Sequence, residues 1–256
     1  MGSECLFCGT AGAGVLSKEH VIPKWLLLHL NLPPNDQMFY GVADSTSGEL
    51  TRQRVHSSFT FVEGRVCEKN CNNGWMRRLE NAAKPILVPL IDGQQPPSEL
   101  SSAGRTIVAK WTAKTAYVHS WAGLMKEPIQ REHLQALNGD NGSLPPGVGI
   151  FAMQAGHAKP SSYIQSGQWP QLGHGTLSDT PASGAYKVGL QFGHLHLLTA
   201  FWPGEKAHLT LTPRHFPVWP IKAEPWPKYD GWIPSNASID PLGRFTSELA
   251  VLHAAG

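Results

Sequence analysis

Charged residues are scarce in this sequence, and the usual signs of a membrane or exported protein are lacking. Asp, Glu, Lys and Arg make up 16% of the 256 residues, and the formal net charge is only +2. Composition alone therefore gives no argument for nucleic-acid binding. No run of about 18 apolar residues is present, so we expect no membrane span. The N-terminus, MGSECLFCGT, lacks a basic region followed by an apolar run, so we expect no secretion signal and a cytoplasmic protein.

Cysteine is also rare, and all four cysteines fall in two close pairs. Cys5 and Cys8 have the spacing C-x2-C, and Cys67 and Cys71 have the spacing C-x3-C. In a chain without an export signal, such pairs indicate metal ligands rather than disulfides. Four thiolates fill the tetrahedral sphere of Zn²⁺, so the predicted zinc site is structural. The alternative is two pairs of unliganded thiols.

Residues 1–92 are predicted to form one unit around these cysteine pairs. A short amphipathic segment follows the first pair over 20–29, and residues 38–66 are predicted to be extended, with hairpin strands. A helix is expected to begin near Asn72 or Asn73, which are good N-cap types. We expect Pro85 to end it.

The remainder, residues 98–256, is predicted to contain one helix and then mostly strands. A Gly- and Pro-containing linker over 93–97 separates it from the first unit. Apolar residues at helical spacing predict a helix over about 102–124. The pattern then predicts short strands, at 148–154, 185–192, 194–201 and 207–212. The segments on either side of Gly193 are predicted to pair as a hairpin, and the whole chain is predicted to be α+β.

The segment between the cysteine pairs carries a chemical motif. Glu19 and His20 stand side by side after the first pair and are followed by Ile22-Pro23, while Asn72 follows the last cysteine directly. An acidic residue and a histidine, then Ile-Pro, between cysteine pairs resembles the zinc-containing branch of the HNH (ββα-metal, treble-clef) endonucleases. The phage Holliday-junction resolvases with four zinc cysteines are similar in this respect. The resemblance covers about residues 5–80.

The resemblance implies a fold and a set of roles. Residues 1–92 would form a ββα-metal HNH nuclease domain, in which Glu19 and Asn72 hold a catalytic Mg²⁺ or Mn²⁺ and His20 is the general base. The C-x3-C spacing leaves Asn73 open as the alternative metal ligand. The family more often has Asp at the position of Glu19.

Elementary chemistry supports these roles independently of the family. A Mg²⁺ ion held by one carboxylate and one amide keeps open positions for a scissile phosphate, and it neutralises charge in the transition state. A neutral imidazole can take a proton from water. Candidate phosphate contacts are Lys24, Arg77 and Arg78, beside backbone N–H groups at the start of the predicted helix. His56 and Glu80 are candidates for residues that contact the metal ligands or the base rather than the substrate.

The sequence therefore predicts a divalent-metal-dependent endonuclease that hydrolyses phosphodiester bonds, with DNA favoured over RNA. One alternative is a non-catalytic, zinc-stabilised module that binds nucleic acid or protein. Another is a defence effector whose C-terminal half gates the nuclease. The expected partner is nucleic acid and not a membrane. A homo-oligomer, and a regulatory ligand or partner at the C-terminal domain, both stay open.

Overall fold

The chain is a mixed helix and sheet protein, α+β, in a computed structural model. The structure describes residues 4–12, 14–43, 50–123, 129–166, 171–172, 184–203, 207–210, 216–220 and 250–253. The helices are α1 (Lys24–His29), α2 (Arg77–Ile91), α3 (Ser102–Ala122) and α4 (Arg131–Ala136). The strands are β1 (Leu16–His20), β2 (Gln37–Ala43), β3 (Leu50–Ser57), β4 (Val62–Cys67), β5 (Val148–Ser166), β6 (Gln171–Leu172), β7 (Tyr186–Phe201), β8 (Ala207–Thr210), β9 (Phe216–Trp219) and β10 (Ala250–His253).

The N-terminal part is built on a two-stranded ribbon followed by a helix. β1 pairs antiparallel with β4, so that Glu19 lies opposite Glu63 and His20 opposite Val62. The register shifts between Ser17 and Glu19. β2 and β3 form a separate antiparallel pair inserted between these strands. Over the described residues the predicted extended region is confirmed as β2, β3 and β4, and β1 still pairs with β4 although β2 and β3 lie between them in the chain.

The regular helix after the second cysteine pair, α2, both begins and ends later than predicted. Wide, π-type turns run over Glu68–Met76 with a non-helical break at Gly74, and α2 then continues to Ile91. The prediction that Pro85 ends the helix is wrong. The apolar face of α2 beyond this proline is buried, with Leu87, Leu90 and Ile91 at most 2% exposed. Proline has no N–H, so Pro85 cannot donate the usual backbone hydrogen bond of a helix. Burial of these side chains offsets that loss.

Helix α3 lies at the centre of the molecule. The predicted helix is confirmed, and ten consecutive residues, 111–120, are buried. One side of α3 contacts α2 and β4, and other sides contact β5, β7 and β9. Trp111 shows both environments, since its ring lies 6.3 Å from that of Trp25 and 5.9 Å from that of Phe192. Polar residues of this helix are therefore removed from water.

The strands around α3 form a strongly curved ribbon. β7 runs without interruption through Gly193 and pairs with β5 on both sides of it, so the predicted hairpin at this glycine is wrong. Gly193 has φ +54°, and a Cβ there would lie 2.4 Å from the carbonyl oxygen of Ile91. Only glycine combines this backbone angle with such a close approach. The strand bends, and the rings of Tyr186 and Phe201 near its two ends come within 5.6 Å.

One hydrophobic core runs through both predicted units. It includes Leu26 and Leu87 from the first unit with Val108 and Leu190 from the second. The predicted linker over 93–97 lies between α2 and α3, which pack on each other. Among the described residues, no helix is both long enough and apolar enough to cross a membrane.

Candidate functional site

Three cysteine sulfurs converge beside the β1–β4 ribbon. The Sγ atoms of Cys5, Cys8 and Cys71 all lie within 4.8 Å of one another, and those of Cys5 and Cys71 are 3.7 Å apart. Zinc–sulfur bonds of about 2.3 Å in tetrahedral geometry place two sulfurs about 3.8 Å apart. The donor set and its spacing therefore fit a metal such as zinc.

Backbone amides wrap the sulfur of Cys5. The N–H groups of Cys8 and Cys67 donate to this Sγ over 3.5 and 3.1 Å. Gly9 has φ +71° and donates to the carbonyl of Cys5, which closes the tight turn after the first pair. N–H donors around a sulfur favour its thiolate form, which is the form that binds a metal.

Cys67 lies beside the other three cysteines, but its sulfur is not part of their cluster. The residue is buried at the end of β4, and its backbone N–H contacts Cys5. Its Sγ does not join the 4.8 Å group that the other three sulfurs form among the described residues. The structure therefore brings three of the predicted zinc ligands together, and the role of the fourth sulfur stays a prediction.

The pKa values of the two closest thiols, Cys5 and Cys71, are shifted in opposite directions. The pKa of Cys5 falls to about 5, chiefly because of the hydrogen bond between its sulfur and that of Cys71, with further backbone donors and against the effect of burial. The same hydrogen bond raises the pKa of Cys71, and burial adds to this. A metal ion bound by both sulfurs would displace the thiol protons.

Asn72 connects the cysteine cluster to β1. Its Nδ2 donates to Ser17 Oγ over 3.0 Å and to the carbonyl of Lys18 over 3.3 Å. The neighbouring Asn73 is exposed. The turn after Cys71 therefore holds the Asn72 amide against the strand that carries Glu19 and His20, whereas Asn73 makes no such side-chain contact among the described residues.

His20 lies at the end of β1 and is partly exposed. Within the described part of the chain its ring makes no hydrogen bond, so both nitrogens are available to a substrate or water. His56 packs near this end of the ribbon. Its ring lies 4.9 Å from that of Phe61, and the Phe61 carbonyl accepts a hydrogen bond from Val21, next to His20.

Glu19 points in the opposite direction and is buried. Its Oε1 lies 3.2 Å from the Nζ of Lys114 on α3, and this ammonium lies 2.5 Å from Glu80 Oε1. Glu80 Oε2 also accepts from the indole N–H groups of Trp25 and Trp111, over 2.5 and 2.9 Å. Glu80 therefore contacts the same buried lysine as Glu19, and its supporting role at the site stays a prediction.

Lys114 is fully buried, although the helical pattern is compatible with a solvated face. Burial lowers the pKa of Lys114, but the charges of Glu80 and Glu19 outweigh it and raise the pKa above its ordinary value. The ammonium is therefore charged. Sequence reasoning missed this group because nothing local shows that α3 is covered on both sides. The one available signal is the near absence of charge in the segment Trp111–Ala122.

The candidate phosphate contacts lie on the surface. Lys24 and Arg77 are exposed. Arg78 is exposed too, and its guanidinium forms a paired contact with the carboxylate of Asp140, with a shortest distance of 2.7 Å. Lys24 and Arg77 have no ion-pair partner within the described ranges of the chain, so their cations are the more available for a phosphate.

Comparison of the chain with protein-family models, with curated proteins and with solved structures gives no match. The chemistry of the site must therefore be argued from its own residues. They provide a sulfur cluster suited to a metal, the partly exposed imidazole of His20, the Asn72 amide bonded to β1, and the buried carboxylate of Glu19.

Proposed function

We propose that this chain is an HNH-type, divalent-metal-dependent endonuclease that hydrolyses phosphodiester bonds, with DNA as the favoured substrate. The observation that carries the proposal is the pair of hydrogen bonds from Asn72 to Ser17 and Lys18. They join the residue after the last cysteine to the strand that bears Glu19 and His20, which supports a shared centre for these three residues. The antiparallel β1–β4 ribbon followed by α2 supports the same arrangement.

In this proposal the two metal sites have separate tasks. Zinc would be held by Cys5, Cys8 and Cys71, and by Cys67 once its side chain turns towards the other sulfurs. The bound ion would stabilise the turn that carries Asn72. A Mg²⁺ or Mn²⁺ ion held by Glu19 and Asn72 would neutralise charge that develops on the phosphate.

His20 performs the proton transfer. One ring nitrogen takes a proton from water, and the resulting hydroxide forms a bond to phosphorus while the bond from phosphorus to the leaving oxygen breaks. The leaving oxygen departs with the electron pair of that bond and takes a proton from solvent. The partial exposure of His20 leaves room for the water and the phosphate. Lys24 and Arg77 would contact neighbouring phosphates, and each such contact adds salt-dependent affinity rather than sequence preference.

A second candidate is a zinc-stabilised binding module without hydrolytic activity. One observation favours it, namely that Glu19 already accepts a hydrogen bond from a buried lysine. Among the described residues, however, Glu19 Oε2 has no hydrogen-bond partner. This oxygen is the one that a metal ion would use, so the contact with Lys114 is compatible with catalysis.

Substitution of the two neighbouring asparagines tests the proposal. We expect Asn72→Ala to lower Mn²⁺-dependent cleavage by about 10- to 100-fold, the usual effect of weakening a metal site. Asn73→Ala is the matched control, because it removes the same group from an exposed position one residue away, and we expect it to leave the rate within about threefold of wild type. Initial rates on duplex and branched DNA, measured over a Mn²⁺ titration, provide the test. The reverse order of effects would assign the ligand to Asn73, and no effect of either variant would contradict the proposed centre.

A further inference from the structure

Two carboxylates that lie opposite each other on the β1–β4 ribbon, Glu19 and Glu63, are each paired with a cation. Glu63, which lies opposite Glu19, is held by Arg65 through two side-chain hydrogen bonds of 2.8 and 2.9 Å. Arg65 also lies over the ring of Trp121 on α3. Glu63 is therefore already neutralised, and Lys114 is left to be shared between Glu19 and Glu80.

The two partners of Lys114 are held very differently. Glu80 accepts three hydrogen bonds, two from indole groups and one from Lys114 at 2.5 Å. Glu19 accepts only the longer contact of 3.2 Å among the described residues. Glu80 is thus the fixed anchor of the triad, Lys114 is fixed by Glu80, and Glu19 is oriented by Lys114.

We propose that Lys114 and Glu80 are positioning residues, which aim the Glu19 carboxylate at the catalytic metal ion. This inference rests on the proposed function. Carboxylates that bind metals are commonly oriented by a hydrogen bond to their second oxygen, and loss of that partner weakens binding or activity by about 10- to 100-fold. Here the donor comes from α3, outside the segment of the family resemblance.

The charges of the triad give the proposal a distinctive signature. Lys114 and Glu80 cancel each other, so that Glu19 presents one net negative charge to a cation. Removing the charge of Glu80 leaves Glu19 as the one carboxylate of the triad that balances the ammonium, so the group no longer presents a net negative charge to a divalent ion. Removing both charges restores the balance, but it leaves Glu19 without its orienting donor.

Two variants of the full-length, zinc-loaded chain separate these effects. We expect Glu80→Gln to raise the Mn²⁺ dissociation constant by about tenfold. Lys114→Met combined with Glu80→Gln is expected to return the constant to within about threefold of wild type, while the rate at saturating Mn²⁺ stays at least about tenfold low. Asp92→Asn is the matched control, since it removes another acid from the end of α2 that pairs with His29.

Calorimetric Mn²⁺ titration and single-turnover cleavage provide the two readouts, and circular dichroism confirms folding. An unchanged dissociation constant in folded Glu80→Gln would overturn the positioning role, even if the double variant does not fold. A folded double variant that cleaves at the wild-type rate would overturn it as well. If wild type binds Mn²⁺ and Glu19→Gln does not, the metal centre stands whatever the triad variants show. Wild type that binds no Mn²⁺ would remove the proposed function and the positioning role with it.

Discussion

Replacing His20 with alanine is expected to reduce cleavage by about 10²- to 10⁴-fold, the range over which general acid–base groups contribute. The thermal stability should change little, because the ring is partly exposed and makes no hydrogen bond among the described residues. This separation of activity from stability is the important feature, since a residue of the buried core would lose both together. Initial cleavage rates at saturating Mn²⁺ and a thermal melt of the same sample measure the two quantities.

His29→Ala is the matched control for this substitution. His29 is also a partly exposed histidine, and it lies on α1 where it pairs with Asp92 at 2.8 Å. Loss of such an exposed pair costs about 0–1 kcal/mol of stability and should leave the rate unchanged. Cleavage by His20→Ala at the rate of the control would remove the base assignment.

Substitution of Cys71 by serine should have the largest effect on stability. Cys71 is completely buried and lies 3.7 Å from Cys5, so a serine there removes a central member of the sulfur cluster. Structural zinc supplies apparent binding free energies of about 10–16 kcal/mol in small zinc domains, which sets an upper bound on the loss. We expect zinc content to fall from one ion per chain towards zero and the N-terminal unit to melt. Asn72 would then lose its place against β1.

Cys67→Ser tests whether the fourth cysteine sulfur binds the metal. Serine keeps the backbone N–H that donates to Cys5, so this variant removes only the sulfur. Loss of zinc would show that the fourth sulfur turns towards the cluster and binds the metal. Elemental analysis after gel filtration, together with a thermal melt, gives the answer for both variants. Full zinc occupancy in Cys71→Ser would contradict the metal site altogether.

The local pattern was sufficient to predict several elements. The extended region between the cysteine pairs and the helix over 102–122 follow from apolar periodicity, which neighbouring segments do not alter. The mixed α+β class follows in the same way. The spacing of the two cysteine pairs also predicted that the pairs lie close together, because it suits shared coordination of one ion.

Other features depend on contacts that no local pattern encodes. α2 passes through Pro85 because the residues beyond it are buried, and β7 passes through Gly193 because β5 pairs with both of its halves. The burial of Lys114 depends on β1 and α2, which carry Glu19 and Glu80 and enclose the ammonium. Glu19 and Lys114 are 95 residues apart in sequence, so their ion pair could be found only from the fold.

Cleavage by the wild-type chain is the measurement that tests the central proposal most directly. The zinc-loaded protein would be incubated with duplex, single-stranded and branched DNA and with RNA, in the presence of Mn²⁺ or Mg²⁺ and in their absence. We predict that at least one DNA substrate is cut with the added metal and none without it, and that Glu19→Gln cuts none. Intact substrates throughout, from protein shown to be folded and to hold zinc, would contradict the proposal that this chain is a nuclease.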